Sequence, residues 1–148
     1  MDQRTALIGV GNTITIAAGK EDTGGAFALL DYELAPGFTG LPQHYHRRED
    51  EAIYVLEGQL LVVVGRTEHR IGPGEFIFLP KGIAHAQRNR GTEPARFLVV
   101  LIPAGFEQCL QELEAVLEGG APFSPEAIAP LLARYGVQTE DITTTIGQ

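Results

Sequence analysis

The sequence has little that would carry the chain into a membrane or an oxidising compartment. Its one cysteine, Cys109, rules out an intramolecular disulfide and fits a reducing environment. No uninterrupted apolar stretch approaches the roughly 20 residues that span a bilayer. The longest apolar stretches, 59–65 and 97–103, have the length of strands. Met1-Asp2-Gln3-Arg4 leads into no apolar signal core. Positive charge is also short: Lys and Arg number 11 against 19 Asp and Glu, a net charge of −8. An acidic surface repels phosphate backbones, which argues against nucleic acid as a partner. Internal repeats and low-complexity linkers are missing too. Together these deficits predict a soluble, cytoplasmic protein with neither a nucleic-acid nor a membrane partner.

What is present is a core-forming chain of 148 residues, 44% of them hydrophobic, with 18 glycines and 9 prolines. The glycines and prolines fall mostly at turn positions between short β-branched or apolar runs. Strands are predicted over 13–18, 26–34, 60–64, 68–71, 75–79, 85–89 and 97–102, with one or two more within 44–57. Short strands at even spacing are the pattern of a sandwich or barrel, so the fold class is all-β. After Pro103 the period changes. Phe106, Leu110, Leu113 and Leu117 form a helical stripe stopped by Gly119-Gly120. Ser124-Pro125-Glu126 then offers an N-cap and an N1 proline, and Ile128, Leu131, Leu132 and Tyr135 form a second stripe ended by Gly136. The expected division is a β-rich domain over 1–103 and a helical extension over 104–148, packed on it.

Three of the four histidines fall in the β-rich part with a carboxylate close by. His44 and His46, two apart on a strand, point to one face. Glu51 follows five residues later, and His85 enters from a later strand. Three imidazoles and a carboxylate suit one divalent transition ion: Fe, Mn, Ni, Cu or Zn.

At these residues the sequence resembles a known family. His44-Tyr45-His46, four residues, Glu51, six residues, Gly58 looks like the first motif of the cupins, HxHx4Ex6G. Gly74, five residues, Pro80, one residue, Gly82, two residues, His85, three residues, Asn89 looks like the second, Gx5PxGx2Hx3N. In a chain of this composition the second pattern has a chance probability on the order of 10⁻⁴. One departure is that the opening glycine of the first motif is displaced: Gly37 lies one residue early and Phe38 holds its place. The resemblance implies a cupin jelly-roll barrel over 1–103 with His44, His46, Glu51 and His85 as metal ligands.

The small single-barrel layout is similar to bacterial cupins of the quercetin 2,3-dioxygenase kind. That similarity implies a metal-dependent dioxygenase acting with O₂ on an aromatic or enolic small molecule, with Glu51 also serving as catalytic base. It also implies a homodimer. Two alternatives stand beside it: a non-redox metal-dependent isomerase or cyclase, and a non-catalytic small-molecule-binding cupin. The acidic tail helices and the strand-like N-terminus argue against a gene regulator.

The remaining candidates have blander readings. His69, Glu49 and Asp50 read as surface residues, and so do Arg47, Arg48, Arg88 and Arg90, whose sharper reading is a rim attracting an anionic substrate. Tyr45 should point away from the metal. Phe76, Phe78 and Phe97 read as core, with some lining the pocket as the alternative. Gln87 shares a face with His85 and reads either as a partner that supports a ligand or as pocket wall. Cys109 reads as a small inert hydrophobe on the tail helix.

Overall fold

The computed structural model describes residues 4–7, 11–38, 42–120 and 124–140. The early strands are β1 (Arg4–Leu7), β2 (Thr13–Ala18), β3 (Ala28–Leu34), β4 (His44–His46), β5 (Asp50–Glu57) and β6 (Leu60–Val64). They are followed by β7 (Thr67–Ile71), β8 (Phe76–Leu79), β9 (His85–Arg88), β10 (Ala95–Ile102) and β11 (Val137–Thr139). A short helix α1 (Lys20–Thr23) follows β2, and α2 (Glu107–Glu118) and α3 (Pro125–Arg134) precede β11. The strands form two antiparallel sheets, β1-β2-β3-β10-β5-β8 and β11-β4-β9-β6-β7. This is an all-β jelly-roll with C-terminal helices, as the strand spacing predicts. None of the described helices is long and apolar enough to cross a membrane.

Alternation builds the core. In β10, Ala95, Phe97, Val99 and Leu101 are buried while the residues between them are not. In β5, Glu51, Ile53 and Val55 share the inward face. These side chains meet Leu60, Val62 and Ile71 of the second sheet and Ile14, Leu30 and Leu34 of the first. Each such aliphatic side chain contributes about 1.5–3 kcal/mol by leaving water.

Gly58 has a larger task than reversing one strand. β5 and β6 belong to different sheets, so the chain crosses between layers there. Gly58 takes φ +75°, and a Cβ on it would lie 2.3 Å from the Pro94 carbonyl oxygen. Only glycine tolerates both the left-handed backbone and that approach. Asn89, the last residue of the second motif, is a buried clamp. Its amide donates to the Leu34 and Glu93 carbonyls at 3.0 and 2.8 Å, and its oxygen accepts from the Gly91 amide at 2.9 Å.

Two sequence expectations need correction, and one short element was not predicted. The tail is not purely helical: β11 pairs with β4 through Val137↔His46, Gln138↔Tyr45 and Thr139↔His44. Lys20–Thr23, to which the sequence reading assigns no element, closes into a single helical turn before Gly24. Phe76 and Phe78 are neither core nor pocket wall but stand 61% and 47% exposed on the outer face of β8. Ile77 and Leu79 take the inward positions instead.

Candidate metal centre

The barrel brings His44, His46, Glu51 and His85 together. β4 supplies the first two histidines, β5 the glutamate and β9 the last, with His44 directly opposite His85 in the ladder. One ring nitrogen from each of His44, His46 and His85 lies within 4.8 Å of the other two, close enough to share one ion. Each ring is aimed by its other nitrogen. Nδ1 of His44 donates to the Pro42 carbonyl at 3.1 Å, and Nδ1 of His85 donates to the Ile83 carbonyl at 3.1 Å. Nδ1 of His46 donates to Glu49 Oε2 at 3.2 Å. With all three Nδ1 atoms engaged as donors, the Nε2 lone pairs are left for a cation.

Glu51 sits beside the triad. Its Oε2 is 2.9 Å from His85 Nε2 and 3.7 Å from His46 Nε2. Its Oε1 accepts from Gln87 Nε2 at 3.0 Å. Glu51 Oε2 and His85 Nε2 are both buried and lack a hydrogen bond of good geometry. Two lone pairs facing each other in a dry site are costly unless a cation stands with them. The electrostatics agree. Burial would raise the Glu51 carboxyl, but the closeness of His85 and of the other two imidazoles holds it down at about 2, so it is a carboxylate. Burial lowers His85, yet Glu51 outweighs it and the net shift is upward. The Glu51–His85 pair therefore favours a positive charge between them. Burial, then the neighbouring His85 and His46 rings, push His44 down to about 4, which keeps it in the neutral, ligating form. The donor set fits a divalent transition ion.

The centre opens into a cavity. Its polar lining is His44, His46, Glu51, Gln87, Tyr32 and Thr139, and apolar side chains make up the rest. Part of the apolar lining comes from the tail: Phe106 at the start of α2, Leu110 and Leu113 on α2, and Ile128 and Leu132 on α3. The Phe106 ring meets His46 edge-on at 4.7 Å. The tail thus lines the pocket as well as packing on the barrel.

Gln87 lines the cavity and also bonds Glu51, so it combines the two roles its shared face with His85 allows. The Tyr45 hydroxyl bonds Gln138 on β11, away from the cavity lining. His69 is exposed. None of Arg47, Arg48, Arg88 and Arg90 lines the cavity. Glu49, read as surface charge, is buried against His46. Tyr32 was not singled out, although alternation with Leu30 and Leu34 marks it as inward-facing. Its ring stacks on Phe97 with centroids 5.1 Å apart. Burial, with Glu51 and Cys109 nearby, shifts its phenol upward, so it stays protonated.

The family model described as a cupin domain matches residues 30–101, which include both motifs and all four candidate ligands. The chain belongs to the cupin superfamily. This cupin is 30% identical over 114 residues to quercetin 2,3-dioxygenase of Bacillus subtilis, covering 76% of the chain and 33% of that protein. It is 39% identical over 71 residues to the tetracenomycin polyketide synthase protein TcmJ of Streptomyces glaucescens, covering 48% of the chain and 47% of TcmJ. The chain thus spans less than half the length of these two relatives. Among solved structures it is similar to the polyketide cyclase RemF from Streptomyces resistomycificus, with 29% identity and a TM-score of 0.58, covering 68% of this chain and 74% of that one.

Proposed function

We propose that this cupin is a metal-dependent dioxygenase for an aromatic or enolic small molecule, with His44, His46, His85 and Glu51 holding the ion. The observation that carries the reading is the buried Glu51–His85 contact, whose Glu51 member lines a cavity walled mostly by apolar side chains. Such walls take an aromatic body, and the few polar groups orient its oxygens. The ion, when bound, supplies Lewis acidity that favours the ionised form of a substrate hydroxyl and, if redox-active, electrons for O₂. Glu51 is the base within reach of that hydroxyl proton, and Gln87 holds the carboxylate in place. Phe106, Leu110 and Leu113 keep bulk water off the reacting face.

A second reading, a non-redox cyclase, is favoured by the similarity to the polyketide cyclase RemF. Metal analysis followed by O₂ uptake with flavonols and enediols separates the two. Iron, manganese, nickel or copper with O₂ consumption supports the dioxygenase. Zinc with ring closure and no O₂ consumption overturns it.

We propose further that the protein is a homodimer. Support comes from the outer face of the first sheet, where two apolar rows cross the strands: Leu29–Val100–Ala52–Phe78 and Leu98–Tyr54–Phe76. The outer face of a sheet is ordinarily polar. Phe76, Phe78 and Tyr54 remain 61%, 47% and 45% exposed. At about 150–250 Å² per aromatic side chain, they leave on the order of 300 Å² uncovered, the apolar centre of an interface that needs about 800 Å² per partner. Light scattering should give twice the 16.0 kDa chain mass. A monomer at micromolar concentration would refute this, and Phe76→Glu should convert dimer to monomer.

A further inference from the structure

The segment 124–140 touches the metal centre twice without supplying a ligand. Its helix α3 places Ile128 and Leu132 in the cavity wall, and its strand β11 lies on β4, the three-residue strand that carries His44 and His46. On the opposite side β4 is weakly held. It meets β9 at the single position His44↔His85, with one further backbone bond from the Gly82 amide to the His46 carbonyl at 2.8 Å. On the β11 side the ladder covers all three residues and continues past both ends. The Arg47 amide donates to the Gly136 carbonyl at 2.9 Å, and the Glu140 amide donates to the Gln43 carbonyl at 2.7 Å. Gln138 Oε1 adds bonds from the Tyr45 hydroxyl and from Arg47 Nη2. Without β11, β4 would be a three-residue edge strand, too short to hold a fixed line by itself.

We infer that the strap 124–140 is a positioning element of the metal centre, so that docking of β11 on β4 and occupation of the histidine triad by a divalent ion stabilise one another. The inference rests on the reading of the triad as a metal site. The physical reason is linkage: ligand geometry must hold to within about 0.5 Å, and a free β4 populates many geometries. An ion that binds the docked state more tightly shifts the population towards it, and docking raises the ion's affinity by the same factor. Because α3 belongs to the same strap, any opening of that wall that also lifts β11 loosens the ion.

The turn that feeds β11 offers a lever away from the ligands. Gly136 has φ +76°, and a Cβ there would lie 3.1 Å from Arg48 Nε and 3.3 Å from its Cγ and Cδ. Gly136→Val sets a β-branched residue in a backbone region it avoids. Gln138→Ala removes the two side-chain bonds more gently. The full-length protein and both variants are titrated with Zn(II) against a chromophoric chelator, and amide exchange of the wild type is followed with and without Zn(II). Expected is at least a tenfold loss of affinity in Gly136→Val, a smaller loss in Gln138→Ala, and at least tenfold slower exchange of the Arg47 and Glu140 amides on saturation. If Gly136→Val does not fold, the wild-type exchange decides. Unchanged exchange at saturation, or wild-type affinity in a folded Gly136→Val whose Arg47 and Glu140 amides exchange freely, overturns the coupling alone. A wild type that takes up no ion overturns the metal reading and the coupling with it.

Discussion

His85 Nε2 and Glu51 Oε2 face each other at 2.9 Å in the barrel interior, and neither has a satisfactory hydrogen bond. β9 and β5 bring them there from separate sheets. The contact is one that a shared cation relieves, and this makes metal uptake the first property to measure.

Wild-type protein should bind one divalent transition ion per chain, and saturation at 100 times Kd should raise folding stability by about 2.7 kcal/mol. His85→Ala should lose the greater part of that affinity and the thermal shift with it. Elemental analysis with paired melting curves checks this. A His85→Ala protein with wild-type metal content would sink the assignment of His85 as a ligand.

Glu49 touches no cavity surface yet fixes the His46 ring through Nδ1. Removing such a partner commonly costs 10–100-fold in metal affinity. Glu49→Ala should fall in that range, and Glu49→Gln, which keeps an acceptor oxygen, should lose less. Equal and negligible losses in a competition titration would show that His46 is held by packing alone.

Asn89 satisfies three backbone groups from a buried position. Asn89→Ala leaves the Leu34 and Glu93 carbonyls and the Gly91 amide to find other partners. At about 1–3 kcal/mol for each group left buried without one, the loss should be several kcal/mol. Denaturant unfolding reads it directly, and a midpoint within experimental error of wild type would contradict the clamp.

Cys109 is buried at the cavity wall, and burial, with Glu112 adding, pushes its thiol up to about 12. An ordinary thiol ionises near 8.5. The folded state therefore holds its proton where the unfolded state releases it. The stabilisation is fully present below about pH 8.5 and is lost as pH rises towards 12. Alkylation of the native protein should keep accelerating between pH 8 and 10, whereas the denatured chain levels off. A native plateau near pH 9 would mean that the thiol is not buried as described.

The candidate ligand set was readable partly from local spacing and partly because Glu51 and His85 fall at positions of the cupin motifs. Two histidines two apart on a strand share a face wherever the strand goes, and Gly58, Gly74, Pro80 and Gly82 mark turns through their own backbone preferences. The strand pattern of the barrel followed from alternation in the same way. Glu49 was not readable, since a carboxylate among charged neighbours looks the same whether it faces solvent or an imidazole. The exposed rows through Phe76 and Phe78 were hidden for a related reason. Phe-Ile-Phe-Leu has no polar residue to show which face is outward, and only pairing with Tyr54 and Ala52 settles it. β11 was missed because Val-Gln-Thr is too short to carry a period, and its pairing with β4 spans about ninety residues of chain. Sequence alone therefore marked the candidate ligands, through strand spacing and motif positions, and the turns, through the backbone preferences of glycine and proline. Tertiary structure alone decided what aims those ligands and what walls the cavity, because both depend on contacts between segments far apart in the chain.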